Sequence, residues 1–388
     1  MNKITEINTY GWNKDHDLYL FLDCAIADSK GEEPGTFLFP EKDGILWHQG
    51  RGFRNSDAMA NFSHSAPSLF PGAKDPRAAF NDIDWEQEKR DAQPIWKAAI
   101  SDFKASFGGY AGYALVAGIL QYLTHPEATP AFGKPSISIQ GEKGSGKTMT
   151  TRFGMRLLGF HSYDPISLGS TKVGIERAFT RFCGLPLHID EWRNDKIDSR
   201  MLDLFISAYN ELPQHKGIPG AEMLTRATTP MTPAIITGEC HISDSALKSR
   251  YIHIVASPRH NQQATAFHPE NQGEEHERAL DVERHKRFQR MMQESHHYHR
   301  IGRLIIRERK KFSRIALEFM RSFKSNPKVI DRISTSRARE NIGLFVGSIA
   351  AAYEILHGHS LISLPSDHPD FVELQGMNDW LINGASSP

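Results

Sequence analysis

One stretch restricts the fold more than any other. Gly141-Glu142-Lys143-Gly144-Ser145-Gly146-Lys147-Thr148 follows directly on the apolar run Ser136-Ile137-Ser138-Ile139-Gln140. It satisfies G-x-x-x-x-G-K-[ST] at every fixed position. Such a loop has to wrap backbone N–H groups around a phosphate. Side-chain Cβ atoms would obstruct that turn, which accounts for Gly141, Gly144 and Gly146. Lys147 can reach β- and γ-phosphates, and Thr148 can ligate Mg²⁺. A helix from 147 adds its positive N-terminal end. Gly141 to Met149 is therefore the expected nucleotide cradle, with ATP and Mg²⁺ as its expected ligands.

The pattern around this loop alternates strand and helix. Strands are expected at 136–140, 185–190, 233–238 and 250–256, and helices at 147–158, 172–182, 196–210 and 243–249. That order predicts an α/β core with a mostly parallel sheet. Before it, residues 1 to about 90 read as β-rich, with strands at Leu18–Ile26, Thr36–Phe39 and 44–48. Pro71 to Pro94 reads as a linker, and helices follow at about 94–107 and 111–123. Residues 257–280 read as an exposed loop. From 280 onward the chain reads as helix, including Ser336 to Leu356, with a frayed tail over 377–388.

Composition excludes some classes. Net charge is zero, so the chain as a whole is no electrostatic glove for nucleic acid, and any basic surface is local. Cys24, Cys183 and Cys240 lie far apart without metal-ligand spacing, as in a reduced, cytoplasmic protein. The opening MNKITEINTYGWNKD has no apolar core of a signal peptide. The apolar stretch Tyr110 to Leu123 is too short to span a bilayer, so no membrane partner is expected.

A phosphate-binding loop needs a carboxylate partner. The apolar run Leu185-Pro186-Leu187-His188-Ile189 ends in Asp190 and Glu191. Asp190 would hold the Mg²⁺ shell, and Glu191 would polarise the attacking water. A solvated acidic turn at a strand end is the plain alternative. The next strand, Ala234-Ile235-Ile236-Thr237-Gly238-Glu239, would lie beside the first with its tip near the γ-phosphate. Arg250 opens the last strand of the series. It would either reach into a neighbouring copy's site or stand as an ordinary surface arginine.

These pieces, in this order, resemble the superfamily 3 helicases, a branch of the AAA+ ATPases of viruses, phages and mobile elements. The order is GEKGSGKT, LHIDE, a hairpin-like stretch, AIITGE and SRYIHI, packed into about 115 residues. The ITGE strand end and the helix from Ser336 resemble the primase–helicase subgroup. The likeness spans about 95–356 and is best over 136–256. It implies a P-loop AAA+ core over 135–280. Around that core stand a small β-rich N-terminal module (1–90), a helical collar (91–134) and a helical C-terminal region (281–388). It implies ATP shared between subunits of a homo-oligomer, a hexamer by expectation. Lys147, Thr148, Asp190 and Glu191 would come from one subunit and Arg250 from the next.

Glu239 departs from the pattern, since many relatives carry Asn there. An ionised carboxylate cannot donate a hydrogen bond to phosphate, so its role would be to orient water or an arginine. In such helicases a β-hairpin between the acidic pair and the third strand grips single-stranded DNA. Here that position holds His215, Lys216 and, on the return strand, Arg226. Charge would carry the grip, because aromatic stacking partners are absent there. The resemblance thus implies a helicase acting on single-stranded or forked DNA, with any priming activity on a separate chain. An AAA+ ATPase that remodels protein partners or acts as a nucleotide-controlled regulator is the rival reading.

Residues 284–324 carry thirteen Lys/Arg against Glu294, Glu308 and Glu318. An apolar stripe of Leu304, Ile305, Phe312, Ile315 and Phe319 underlies this basic face. Nucleic acid, a solvated helix face and a subunit seam all fit it. His296, His297 and His299 lack a framing carboxylate or cysteine and point in different directions on a helix, so no metal is expected there.

Overall fold

The computed structural model describes residues 5–7, 10–13, 17–28, 33–39, 45–47, 67–128, 133, 135–180, 182–212, 214–217, 225–228, 232–256 and 273–386. Short strands come first. β1 (Thr5–Ile7) pairs in parallel with β6 (Ile45–Trp47). β2 (Tyr10–Asn13), β3 (Leu18–Leu20), β4 (Ala25–Ala27) and β5 (Thr36–Leu38) form an antiparallel meander. The run Leu18–Ile26, expected as one strand, folds back on itself. The Phe21 N–H donates to the Cys24 carbonyl at 2.8 Å. At the reversal Asp23 accepts from Ser68 Oγ at 2.6 Å and from the N–H groups of Leu69 and Phe70. The turn forms because its carboxylate satisfies three donors of a segment distant in sequence.

The stretch 71–94 is largely helical rather than a linker. Asp75 caps α1 (Pro76–Asn81), and Asp84 caps α2 (Trp85–Phe107), each accepting from two first-turn N–H groups. Pro94 suggested a helix start, yet it lies inside α2. α3 (Tyr110–Leu120) is buried at every position after Tyr110 and packs between the central sheet and the C-terminal helices.

β7 (Ser136–Gln140) lies at the heart of the molecule, buried throughout. α4 (Lys147–Met155), β8 (Ile166–Ser167), α5 (Lys172–Phe179), β9 (Phe182–Cys183), β10 (Leu187–Trp192) and α6 (Ser199–Asn210) follow in turn. After them come the hairpin β11 (Gln214–Gly217) and β12 (Thr225–Thr228), then β13 (Ala234–Gly238), α7 (Ser245–Lys248) and β14 (Tyr251–Val255). The central sheet runs β14-β7-β13-β10-β8, parallel at every pairing. The third strand of the series thus lies beside the first, as expected. The helix expected to reach 182 stops at Phe179. Phe182 and Cys183 instead pair in parallel with Tyr10 and Gly11 of β2. The N-terminal meander is therefore hydrogen-bonded to the backbone of the core.

The rest is helical: α8 (Gly273–Glu294), α9 (Tyr298–Arg307), α10 (Arg309–Ser325), α11 (Pro327–Ile330), α12 (Ser336–His357) and α13 (Pro369–Ser386). Residues 257–272 of the expected exposed loop lie outside the described residues. The tail is not frayed over 377–386. Leu374, Met377 and Leu381 form a buried stripe at helical spacing that holds α13 down. No helix among the described residues is long and apolar enough to cross a membrane.

Most of the C-terminal cations meet acids from distant segments. Arg290 pairs with Asp102, Arg300 with Glu88 and Asp91, and Arg303 with Glu88. Lys311 pairs with Glu354 and Lys324 with Glu340. Arg309 is the deepest, with its side chain 1% exposed. It binds Asp28, Glu127 Oε2 at 2.7 Å and the His125 carbonyl at 2.7 Å. Its guanidinium also lies over the rings of Trp12 and Tyr19. One side chain thus fastens the N-terminal strands to α10. The basic segment is in large part an internal ion-pair layer.

Breaking that fastening leaves the buried Asp28 and the half-buried Glu127 with only the half-exposed Lys310 ammonium as counter-charge. Arg309→Met is expected to lower unfolding stability by about 3–5 kcal/mol in a denaturant titration. A loss under about 1 kcal/mol would mean that the network is not what joins the two parts.

Candidate functional site

The C-terminal ends of β7, β10 and β13 meet at one edge of the sheet. Gln140 is level with Gly238, and β10 lies on the far side of β13. The 141–148 loop leaves β7 at this edge and leads into α4. Gly144 and Gly146 both have a positive φ, +78° and +81°. A Cβ on Gly141 would come within 2.4 Å of the Ala256 carbonyl oxygen, and one on Gly146 within 2.8 Å of Phe288. Side chains are thereby excluded at Gly141 and Gly146. Glu142, Lys143 and Gly144 are exposed, and Ser145 and Gly146 half-buried. Met149 is exposed on the first turn of α4.

Lys147 is buried, and its ammonium donates to the carbonyls of Gly141 at 2.8 Å and Glu142 at 2.7 Å, and to Ser145 Oγ at 3.2 Å. Burial pulls its pKa below the ordinary lysine range, while Glu239 and Asp190 act in the opposite direction. Glu239 is exposed, just beyond β13.

Asp190 gathers the polar groups of the site. Thr148 Oγ1 donates to its Oδ2 at 2.9 Å, and Thr237 Oγ1 to its Oδ1 at 2.5 Å. The Glu191 N–H donates to Oδ1 at 2.9 Å. Burial would raise the pKa of this carboxyl, but the three donors outweigh it and hold the group below the ordinary carboxylate value. The two acids sit in a register shift of β10 against β13, between Ile189 and Trp192. Glu191 there has φ +60°, a conformation rare for a residue with a side chain. In a regular strand neighbouring side chains take opposite faces. The irregularity lets Asp190 bond Thr148 while Glu191, exposed, accepts from Ser167 Oγ at 3.2 Å.

Behind Asp190 runs a chain of hydrogen bonds absent from the sequence reading. Tyr163 Oη lies 2.9 Å from His188 Nδ1, and His188 Nε2 lies 2.9 Å from Thr237 Oγ1. Asp190 is acceptor-only when ionised, so the Thr237 proton goes to it. Thr237 Oγ1 then accepts from His188 Nε2–H, and Nδ1 accepts from Tyr163. Every donor along the chain points toward Asp190. His188 is buried, which pushes its pKa down to about 3, with the Asp190 charge opposing. The available signal was positional: His188 and Asp190 stand two apart on one strand and share a face.

Arg250 is elsewhere. It precedes β14, whose first residue, Tyr251, pairs with Ser136 and whose last, Val255, pairs with Gln140. Five strand residues separate it from the level of the loop, roughly 16 Å at about 3.3 Å per residue. In the β11–β12 hairpin Lys216 stands opposite Arg226 and His215 opposite Ala227. The turn at 218–224 lies outside the described residues.

The donor set can be tested against Mg²⁺. Thr148 and Asp190 offer one hydroxyl and one carboxylate, hard oxygens already in contact. No group of three or more metal-ligating acids, histidines or cysteines lies together among the described residues. Two protein oxygens suit a cation that completes its shell with phosphate and water rather than a protein-only cage. The residues present therefore fit Mg²⁺ held together with a nucleotide.

No protein-family model matches the chain, and no curated protein matches it. Solved structures do resemble it. One is described as the active helicase Cch of SCCmec type IV, at a TM-score of 0.51 and 12% identity, covering 99% of this chain and 60% of that one. Another, an apo form of the NrS-1 C-terminal region, has a TM-score of 0.32 at 12% identity, covering 68% and 67%. The first likeness gives the chain a helicase-like α/β fold. This chain spans 60% of that helicase's length.

The neutral state of His188 has a pH signature. The unfolded imidazole takes up its proton near pH 6.5, whereas the folded one does so near 3. The unfolded state thus binds more protons across that window, and stability falls as pH drops through it. His188→Gln should remove about one proton's worth of this slope, at most about 1.4 kcal/mol per pH unit, in denaturant titrations between pH 6.5 and 4. An unchanged slope would mean that His188 is not held neutral.

Proposed function

We propose that this chain is the motor of a ring-forming DNA helicase. It would hydrolyse ATP and translocate on single-stranded DNA during replication of a mobile element or phage. The observation that carries the reading is the meeting of Lys147, Thr148 and Asp190 beside a glycine loop at the C-terminal edge of a parallel sheet. That edge is where nucleotide sites of open α/β sheets lie. The helicase-like fold supports the same reading.

In this account the 141–148 backbone and Lys147 hold the ATP phosphates. Lys147 now bonds two carbonyls of its own loop, and a phosphate oxygen offers its ammonium a charged acceptor instead. Thr148 and Asp190 would hold Mg²⁺, which supplies charge neutralisation at the β- and γ-phosphates. Glu191 takes the proton of the attacking water, its carboxylate carried outward by the positive φ. Glu239, whose charge acts on Lys147, orients groups around the γ-phosphate. Arg250 lies too far along the sheet to serve its own loop, so it serves a second copy in a ring, a hexamer by the resemblance. Lys216 and Arg226, opposed on the hairpin, grip the DNA backbone with His215 beside them.

Strand displacement from a labelled fork tests the reading. The wild-type protein should release the strand only with ATP and Mg²⁺, and Lys147→Ala should not release it at all. Glu191→Gln should still bind ATP but hydrolyse it about 10²–10⁴-fold more slowly. Wild-type hydrolysis by Glu191→Gln would remove Glu191 as the base. Release of the strand without ATP would remove the motor.

A further inference from the structure

Tyr209, buried on α6, carries two arginines on its ring. The guanidinium carbons of Arg250 and Arg337 each lie 5.6 Å from the ring centroid. Arg337 comes from the first turn of α12, more than eighty residues beyond Arg250. It also donates to Ser249 Oγ at 3.3 Å, the residue just before Arg250. Two cations are thus brought together from separate elements. Among the described residues neither makes an ion pair. Among these residues Arg250 donates to the Ala246 carbonyl alone, and its buried Nε finds no hydrogen-bond partner. Burial lowers the Arg250 pKa, and repulsion from Arg337 lowers it further.

Like charges held at one ring repel, and an orphaned guanidinium N–H costs free energy. Both costs fall when an anion with several oxygens enters between the forks. The ring face offsets part of the repulsion meanwhile. Contrast Arg309, whose charge meets two carboxylates. The pair at Tyr209 is built differently, with its charge unspent and Arg337 exposed. It sits at the end of β14, an edge strand of the sheet, remote from the chain's own loop.

We propose that Arg337 acts beside Arg250 as the second half of a two-arginine clamp, closing on the triphosphate held by the 141–148 loop of the adjacent copy. The clamp rests on the reading of Arg250 given above and adds to it a residue that no part of that reading uses. Tyr209 sets the spacing of the forks, and Ser249 holds Arg337 in place. A heterologous, head-to-tail contact then leaves every nucleotide site incomplete without its neighbour. Because the clamp meets charge that develops on the transferring phosphoryl group, its loss should act on kcat more than on KM.

Mixed oligomers test this. Arg337→Gln alone should lower the ATPase kcat about 100-fold with a smaller change in KM. Mixed one to one with Lys147→Ala, itself inactive, it should recover activity, because a Lys147→Ala copy still offers its Arg337. Random assembly puts that pairing at about a quarter of the interfaces, so about a quarter of the wild-type rate is expected. Arg250→Gln is run in parallel. Recovery with Arg250→Gln but a wild-type rate for Arg337→Gln alone would overturn the clamp and leave the reading of Arg250 standing. Loss in Arg337→Gln without recovery on mixing would place it in its own subunit's site or in folding, and overturn the clamp. Normal hydrolysis with weakened single-stranded DNA binding would assign Arg337 to DNA phosphate and likewise overturn it. Failure of Arg250→Gln to recover would overturn the shared site itself.

Discussion

The site depends on one carboxylate and what it accepts. Asp190 ties the first turn after the glycine loop to the paired strands β10 and β13, at the register shift of one and the end of the other. Each donor comes from a different stretch, so the acid fixes where α4 begins relative to the sheet. The same three bonds hold its pKa below the ordinary carboxylate value, although burial acts to raise it. A group that must meet a cation needs both properties. The Tyr163–His188–Thr237 chain extends the constraint inward, since a Thr237 hydroxyl that accepts from His188 sends its proton to Asp190 at 2.5 Å rather than to the Ile189 carbonyl at 3.5 Å.

A second network holds the rest together. Glu88, Asp102, Asp28 and Glu127 lie in the N-terminal third, and their arginine partners lie in the C-terminal helices. Together with the pairing of β2 to β9, these bonds wrap the two ends of the chain around the parallel sheet. Against this background the unpaired arginines at Tyr209 stand out. Arg290, Arg300, Arg303 and Arg309 each meet acids, whereas at the edge of β14 two arginines share one aromatic ring.

Much of the core was legible in the sequence because its signals are local. A glycine loop after an apolar strand, two acids at a strand end, and alternating elements are all read within a few residues. Strand 136–140 and the helix from 336 fall where the pattern puts them. The losses have physical causes. The tail past 377 reads as frayed, yet its stripe finds α13 a place in the core. Asp75 and Asp84 are caps that turn an apparent linker into helix. The excess charge of 284–324 resembled a binding surface because its counter-ions lie some two hundred or more residues away for several of its arginines. His188 and Tyr163 gave no motif at all. Beyond the face that His188 shares with Asp190, their role comes from Tyr163 and Thr237 meeting His188 behind a strand, which spacing along the chain does not encode.

The central claim is that ATP hydrolysis at Asp190 and its neighbours drives work on single-stranded DNA. Steady-state ATP hydrolysis by the purified protein, measured alone, with single-stranded DNA and with duplex DNA, tests it most directly. The account predicts a rate that rises on adding single-stranded DNA and rises far less with duplex. A robust rate indifferent to both nucleic acids would contradict it and turn attention to a protein partner as the object of the motor.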